Sequence, residues 1–154
     1  MTRVPRFPLP SRLWQESACT NMSDAIVPEG LRGIAIVMDC ADPRRLATFW
    51  RLLVGGSVVR ETASDEWVAI EGIPQLDYLG FQRVPEGKSA KNRTHIDVMV
   101  QQVEESRDHA VAVGATAIGG VVEQEIFRFQ VMADPEGNEF CFVQRKAPSE
   151  TFGS

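Results

Sequence analysis

The chain has 154 residues, 44% of them hydrophobic and 24% charged, with a formal net charge of −5. Its Lys and Arg residues are scattered through an acidic chain, which excludes nucleic acid as a partner, since phosphate binding needs a clustered basic face. The cysteines, Cys19, Cys40 and Cys141, are odd in number and lack metal or redox spacing, so free thiols in a reducing cytoplasm are expected.

Residues 1–30 carry Pro5, Pro8 and Pro10, which forbid a regular helix, and no apolar run long enough for a signal peptide or a membrane span. A disordered tail is expected there. Arg3, Arg6 and Arg12, with no acidic residue before Glu16, offer a targeting segment as one alternative, and a start at Met22 as another. Residues 31–146 read as one domain, with module one at 31–84, a linker at 85–93, module two at 94–146 and a flexible C-terminus at 147–154.

The first module opens on Gly33-Ile34-Ala35-Ile36-Val37-Met38, an apolar run of strand length. Asp42 then caps a helix with Pro43 at its first position, and Leu46, Phe49, Trp50, Leu53 and Val54 recur at helical spacing until Gly55-Gly56 stops them. Strands are expected at Ser57 to Glu61, Glu66 to Ile70 and Leu76 to Val84, with turns at Ser64-Asp65 and Gly72-Ile73-Pro74. The polar run from Pro85 to Arg93 is the linker.

The second module repeats this order. It has a strand from His95 to Val100, a helix from Val103 to Val113 with a stop at Gly114, and strands from Thr116 to Val122, Phe127 to Met132 and Glu139 to Gln144. Asp134-Pro135-Glu136-Gly137-Asn138 suits a tight turn between antiparallel strands. The run from Ala35 to Gly56 thus has its counterpart from His95 to Ala115, and one βαβββ unit occurs twice. The fold class is α+β, with two tandem modules forming curved mixed sheets around a central cup. About 120 residues suffice to bury a core without disulfides or metal staples.

Four motifs carry a resemblance in this order: Asp39-Cys40-Ala41-Asp42-Pro43 before a helix, Phe81-Gln82-Arg83-Val84-Pro85-Glu86, Lys91-Asn92-Arg93-Thr94-His95-Ile96-Asp97, and Asp134-Pro135-Glu136-Gly137-Asn138-Glu139-Phe140-Cys141. Over Leu31 to Gln144 the chain resembles a glyoxalase-like domain of the vicinal oxygen chelate superfamily, with the glyoxalase I, bleomycin-resistance and extradiol dioxygenase proteins. The resemblance implies that a metal, where present, is held by one side chain from the first and last strand of each module, typically His and Glu. Aligning Gln82-Arg83 with Gln144-Arg145 puts Ala35 and Leu79 at those positions in module one, and His95 and Cys141 in module two. A register shift of one residue turns a different side chain of the Leu79 strand inward, and Asp77 and Gln82 are the alternative oxygen donors there.

A catalytic divalent site wants three protein ligands and an open position, and His95 with Cys141 supplies two. A metal-free cup is therefore expected; the alternative is zinc, nickel or iron on His95 and Cys141, recruiting Glu139 or Asp97. Strand alternation puts His95 and Asp97 on one face of one strand and Glu139 and Cys141 on one face of another strand, converging opposite an apolar wall of Ala35, Val37 and Leu79, with Trp67 closing one side. A general-base role for His95 beside Asp97, and a nucleophile role for Cys141 with His95 as its base, are further alternatives. Phe49, Trp50 and Cys40 read as core, His109 as part of a solvated helix face, and Lys88, Lys91 and Arg93 as a rim that attracts an anionic ligand or a hydrated linker.

Three function classes follow. They are a protein that binds a small, partly apolar molecule in the cup, as bleomycin-resistance proteins do; a metal-dependent lyase, isomerase or dioxygenase, or a metal-free enzyme using His95; and a non-catalytic scaffold. The expected partner is a small molecule, with no nucleic acid and no membrane. The cup forms either within one chain or across a homodimer.

Overall fold

The structure, a computed structural model, describes residues 33–60 and 65–146. The expectations for residues 1–30 and 147–154, for Cys19 and Met22, and for Glu61 and Ser64 lie outside the described residues. Among the described residues ten elements follow one another: β1 (Ile36–Cys40), α1 (Pro43–Val54), β2 (Ser57–Arg60), β3 (Trp67–Glu71), β4 (Tyr78–Arg83), β5 (Ile96–Met99), α2 (Val103–Ala112), β6 (Thr116–Glu123), β7 (Phe127–Ala133) and β8 (Glu139–Arg145). They form two four-stranded mixed sheets, ordered β1-β4-β3-β2 and β5-β8-β7-β6, in which the first and last strands of each βαβββ module run parallel. Among the described residues no helix is long and apolar enough to cross a membrane.

Local chemistry accounts for the helix boundaries. Asp42 caps α1 by accepting from the Arg45 N–H at 3.1 Å, Pro43 occupies the first turn, and Gly55 closes the helix with φ of 77°. Gln102 makes no side-chain cap on α2; Gln144 of β8 supplies the acceptor instead, taking the Val103 N–H at 3.2 Å. Period-two alternation then sorts each strand into a helix-facing and an open face. Ile36, Met38 and Cys40 of β1, Val68 and Ile70 of β3, and Leu79 and Phe81 of β4 belong to the core beneath α1, while Ile96, Val98, Met132, Phe140 and Phe142 do the same beneath α2.

The two modules share this core. Trp50 of α1 lies 5.0 Å, centroid to centroid, from Phe140 of β8, and Phe49 meets the same ring at 6.4 Å. Polar groups fasten the join: the Glu136 carboxylate accepts from the Ala41 and Asp42 N–H groups at 2.7 and 2.9 Å, and Asp134 accepts from the Trp50 indole at 3.3 Å. Asp134 also accepts from the Glu136 and Asn138 N–H groups at 2.9 Å each, which makes it the centre of the β7–β8 turn. Gly137, with φ of 84°, is the turn residue that needs a left-handed backbone.

Gly80 is required for a different reason. A Cβ there would stand 2.5 Å from Cη2 and 2.7 Å from Cζ2 of Trp67, so the bare backbone of β4 is what the indole rests on. Tyr78 meets the ring edge-on at 6.0 Å and holds it from the side. Gly80→Ala is expected to destabilise the fold by about 1–3 kcal/mol, since the ring must be displaced to admit a methyl group. Urea unfolding checks this, and a loss under about 0.5 kcal/mol would mean that the indole has another place to go.

Candidate functional site

The open face of module two gathers polar groups. Asp97 of β5 pairs with Cys141 of β8 in the parallel ladder, so the two side chains emerge together, and His95 lies on the same face two residues before Asp97. The His95 Nε2 stands 3.4 Å from Asp97 Oδ1, and one donor atom from each of His95, Asp97 and Cys141 lies within 4.8 Å of the others. The imidazole and the carboxylate are half-exposed, whereas Cys141 is buried. Burial raises the Cys141 thiol above its ordinary pKa, and the Asp97 charge and hydrogen bond raise it further, with Lys91 opposing. That thiol stays protonated near neutral pH and is a poor nucleophile.

Glu139 shares this face of β8 but is engaged elsewhere. Its carboxylate accepts from the Asn92 N–H at 3.0 Å and pairs with Lys88 at 3.1 Å, and those two interactions hold it below its ordinary pKa. It therefore ties the linker to the sheet, and Lys88 is neutralised in doing so. Cys40, as expected, is a buried residue: burial, first of all, pushes its thiol up to about 12. His109 is exposed on α2 and places Nε2 3.2 Å from the Leu52 carbonyl of α1.

Where the two modules meet, β1 and β5 border a groove of about 410 Å³. Val37, Asp39 and Trp50 line it from module one, Arg93 from the linker, and His95 and Glu139 from module two. Trp67 does not line this groove; it lines a second cavity with Gln82 and Arg83 of β4. Continuing along the open face of module two, alternation sets Met99, Phe127, Phe129, Val131 and Val143 in phase with His95 and Cys141. Phe127, Phe129, Val131 and Val143 are half-buried and Met99 is exposed. Arg145 lies 5.7 Å over the Phe127 ring. This apolar floor is absent from the sequence reading, although the pattern Phe127-Arg128-Phe129-Gln130-Val131 carries its signal.

The registers of the two modules correct one assignment. Leu79 pairs with Ile36 on one side and Ile70 on the other, as Phe140 pairs with Ile96 and Met132, so Leu79 is the counterpart of Phe140 and lies in the core at 2% exposure. The counterpart of Cys141 is Gly80, and that of His95, one residue before the paired strands, is Ala35. The aligned pairs Gln82-Arg83 and Gln144-Arg145 mislead because the matching residues are offset by one. Asp77 precedes β4 and is exposed; Gln82 shares the open face with Gly80 but lines the cavity beside Trp67.

This arrangement tests whether a metal of the superfamily type fits. Such a site takes a side chain from the first and last strands of both modules, and neither Ala35 nor Gly80 can ligate. The space over Gly80 is filled by the Trp67 ring. The four-position site does not fit; His95, Asp97 and Cys141 remain as a cluster confined to module two.

Comparison with known proteins adds to the geometry. A family model described as glyoxalase-like domain matches residues 35–143. The chain is similar in structure to a glyoxalase/bleomycin resistance protein/dioxygenase family enzyme from Burkholderia phytofirmans PsJN, at 18% identity and a TM-score of 0.62 over 73% of this chain and 97% of that one. A glyoxalase/bleomycin resistance protein/dioxygenase from Nocardioides gives 10% identity and a TM-score of 0.62, covering 86% of this chain and 95% of the other. A glyoxalase/bleomycin resistance protein from Albidiferax ferrireducens T118 gives 17% and 0.57, covering 73% and 97%. Among curated proteins no significant match is found.

Proposed function

Since the chain belongs to the glyoxalase-like domain family, we propose that it binds a small, partly apolar molecule in the groove between its modules without a catalytic metal. One observation carries this reading: module two presents His95, Asp97 and Cys141 beside a half-buried apolar floor, while the matching positions of module one are Ala35 and Gly80. An apolar surface with a few convergent polar groups is the usual anatomy of a small-molecule site. His95, held by Asp97, orients the polar end of the ligand, and Val37, which lines the groove opposite it, takes its apolar body. Glu139 keeps the linker in place beside them. The free thiols of Cys40 and Cys141 are in keeping with a cytoplasmic protein.

The cluster of donor atoms within 4.8 Å supports a second reading, a metal-dependent lyase, isomerase or dioxygenase in which His95, Asp97 and Cys141 would hold zinc, nickel or iron as a Lewis acid or redox centre. Metal content separates the two. Protein purified without chelators is expected to carry well under one equivalent of transition metal, and excess chelator to leave its melting temperature unchanged. Stoichiometric metal whose removal lowers the melting temperature would overturn the metal-free reading.

A further inference from the structure

Four side chains that carry or can carry charge border the groove between the modules, and two of them are engaged within the chain. His95 stands 3.4 Å from Asp97, and Glu139 pairs with Lys88 at 3.1 Å. The other two are Asp39 of β1 and Arg93, which ends the linker on the β5 side. Among the described residues neither of these side chains forms an ion pair or a hydrogen bond, with each other or with anything else. Both are exposed, so a molecule in the groove can reach them.

The β1 register fixes where Asp39 stands. Val37 and Asp39 pair with Gly80 and Gln82 of β4, and alternation turns both to the open face while Ile36, Met38 and Cys40 enter the core. Val37, 44% exposed, thus presents an apolar surface next to the free carboxylate. The groove therefore has an unpaired negative group on its module-one side and an unpaired positive group on the other. A ligand with a single charge meets its complement on one side and its like on the other, and an uncharged ligand leaves both groups to water. A zwitterion satisfies both, and the planar fork of an arginine matches a carboxylate in particular. At about 410 Å³ the groove lies toward the small end of ligand sites, which suits one amino acid rather than a peptide.

We infer that the ligand of this groove is an amino acid with an apolar side chain, its carboxylate on Arg93, its ammonium on Asp39 and its side chain against Val37. The inference rests on the small-molecule reading of the groove and names the class of molecule that it takes.

Leucine, methionine and phenylalanine are the probes, each compared with its own skeleton lacking the ammonium or lacking the carboxylate; for phenylalanine these are phenylpropanoate and phenethylamine. In the ¹⁵N-labelled full chain at neutral pH, at least one of the three amino acids is expected to shift the backbone amides of Val37 and His95 and to saturate. It should bind about tenfold more tightly than either of its skeletons, the worth of one charge-assisted hydrogen bond. Asp39→Asn should erase the advantage over the skeleton that lacks the ammonium, and Arg93→Gln the advantage over the one that lacks the carboxylate, each variant keeping the other advantage. If a variant fails to fold, the comparison of skeletons on the wild type decides alone. Silence of all three amino acids, a skeleton that binds as tightly as its amino acid, or advantages that survive both substitutions would overturn the assignment. Should singly charged or uncharged molecules bind in a His95-dependent way while the amino acids stay silent, the zwitterion falls and the small-molecule reading stands; a groove that takes no molecule of any charge ends both.

Discussion

Asp134→Ala is expected to cost about 3–5 kcal/mol of folding stability, because it leaves the buried Trp50 indole and three half-buried donors without an acceptor at once. Asp134 is 4% exposed and accepts from the Glu136 N–H, the Asn138 N–H, the Asn138 amide and the Trp50 indole. Three of these hold the β7–β8 turn, and the fourth ties that turn to α1 of the other module. The turn in turn presents Glu136, whose carboxylate accepts the two N–H groups ahead of α1. Loss of Asp134 therefore loosens the module interface as well as the turn. Urea unfolding measures the cost, and Asp134→Asn, which keeps one acceptor oxygen, should fall between the two. A loss below about 1 kcal/mol would show that water replaces the carboxylate and that the join does not depend on it.

Phe140→Ala is expected to lose a similar amount, about 3–5 kcal/mol, by opening a cavity in a core that cannot collapse to fill it. The ring is 1% exposed and touches Phe49 and Trp50 of module one and Phe142 of its own strand. It also lines the groove between the modules, so its loss enlarges the proposed binding site from below. Calorimetry and chemical denaturation should agree on the cost. Near-neutral behaviour would mean that the two modules are held together by the polar clasp alone.

Much of this architecture is legible in the amino-acid sequence, and the reasons are local. Asp42-Pro43 and Gly55 bracket α1, Gly114 ends the second helical run, and Asp134 to Asn138 reads as a turn, because capping, proline and positive-φ chemistry act within a few residues. The repeat leads to the paired sheets for the same reason. What escapes is set by contacts distant in sequence. Leu79 aligns with Cys141 by sequence whereas the ladders match Gly80 to it, since a one-residue offset reverses every side chain of a strand. Glu139 reads as a cup residue and does line the groove, but its ties to Lys88 and Asn92 of the linker are not legible, and Asp134 reads as a turn residue but also anchors Trp50. The grouping of His95, Asp97 and Cys141 is foreshadowed by alternation, whereas their 4.8 Å span depends on the β5–β8 register.

The central claim is that the groove at His95 binds a small molecule without help from a metal. A thermal-shift screen of a small-molecule library, run in excess chelator on the wild type and on His95→Ala, tests it most directly. Compounds that raise the melting temperature of the wild type are expected to act in chelator and to lose about 1–3 kcal/mol of binding in His95→Ala, the cost of leaving buried polar partners unpaired, with the fold of the variant retained. Compounds that stabilise both proteins equally, or that act only once metal is restored, would contradict it.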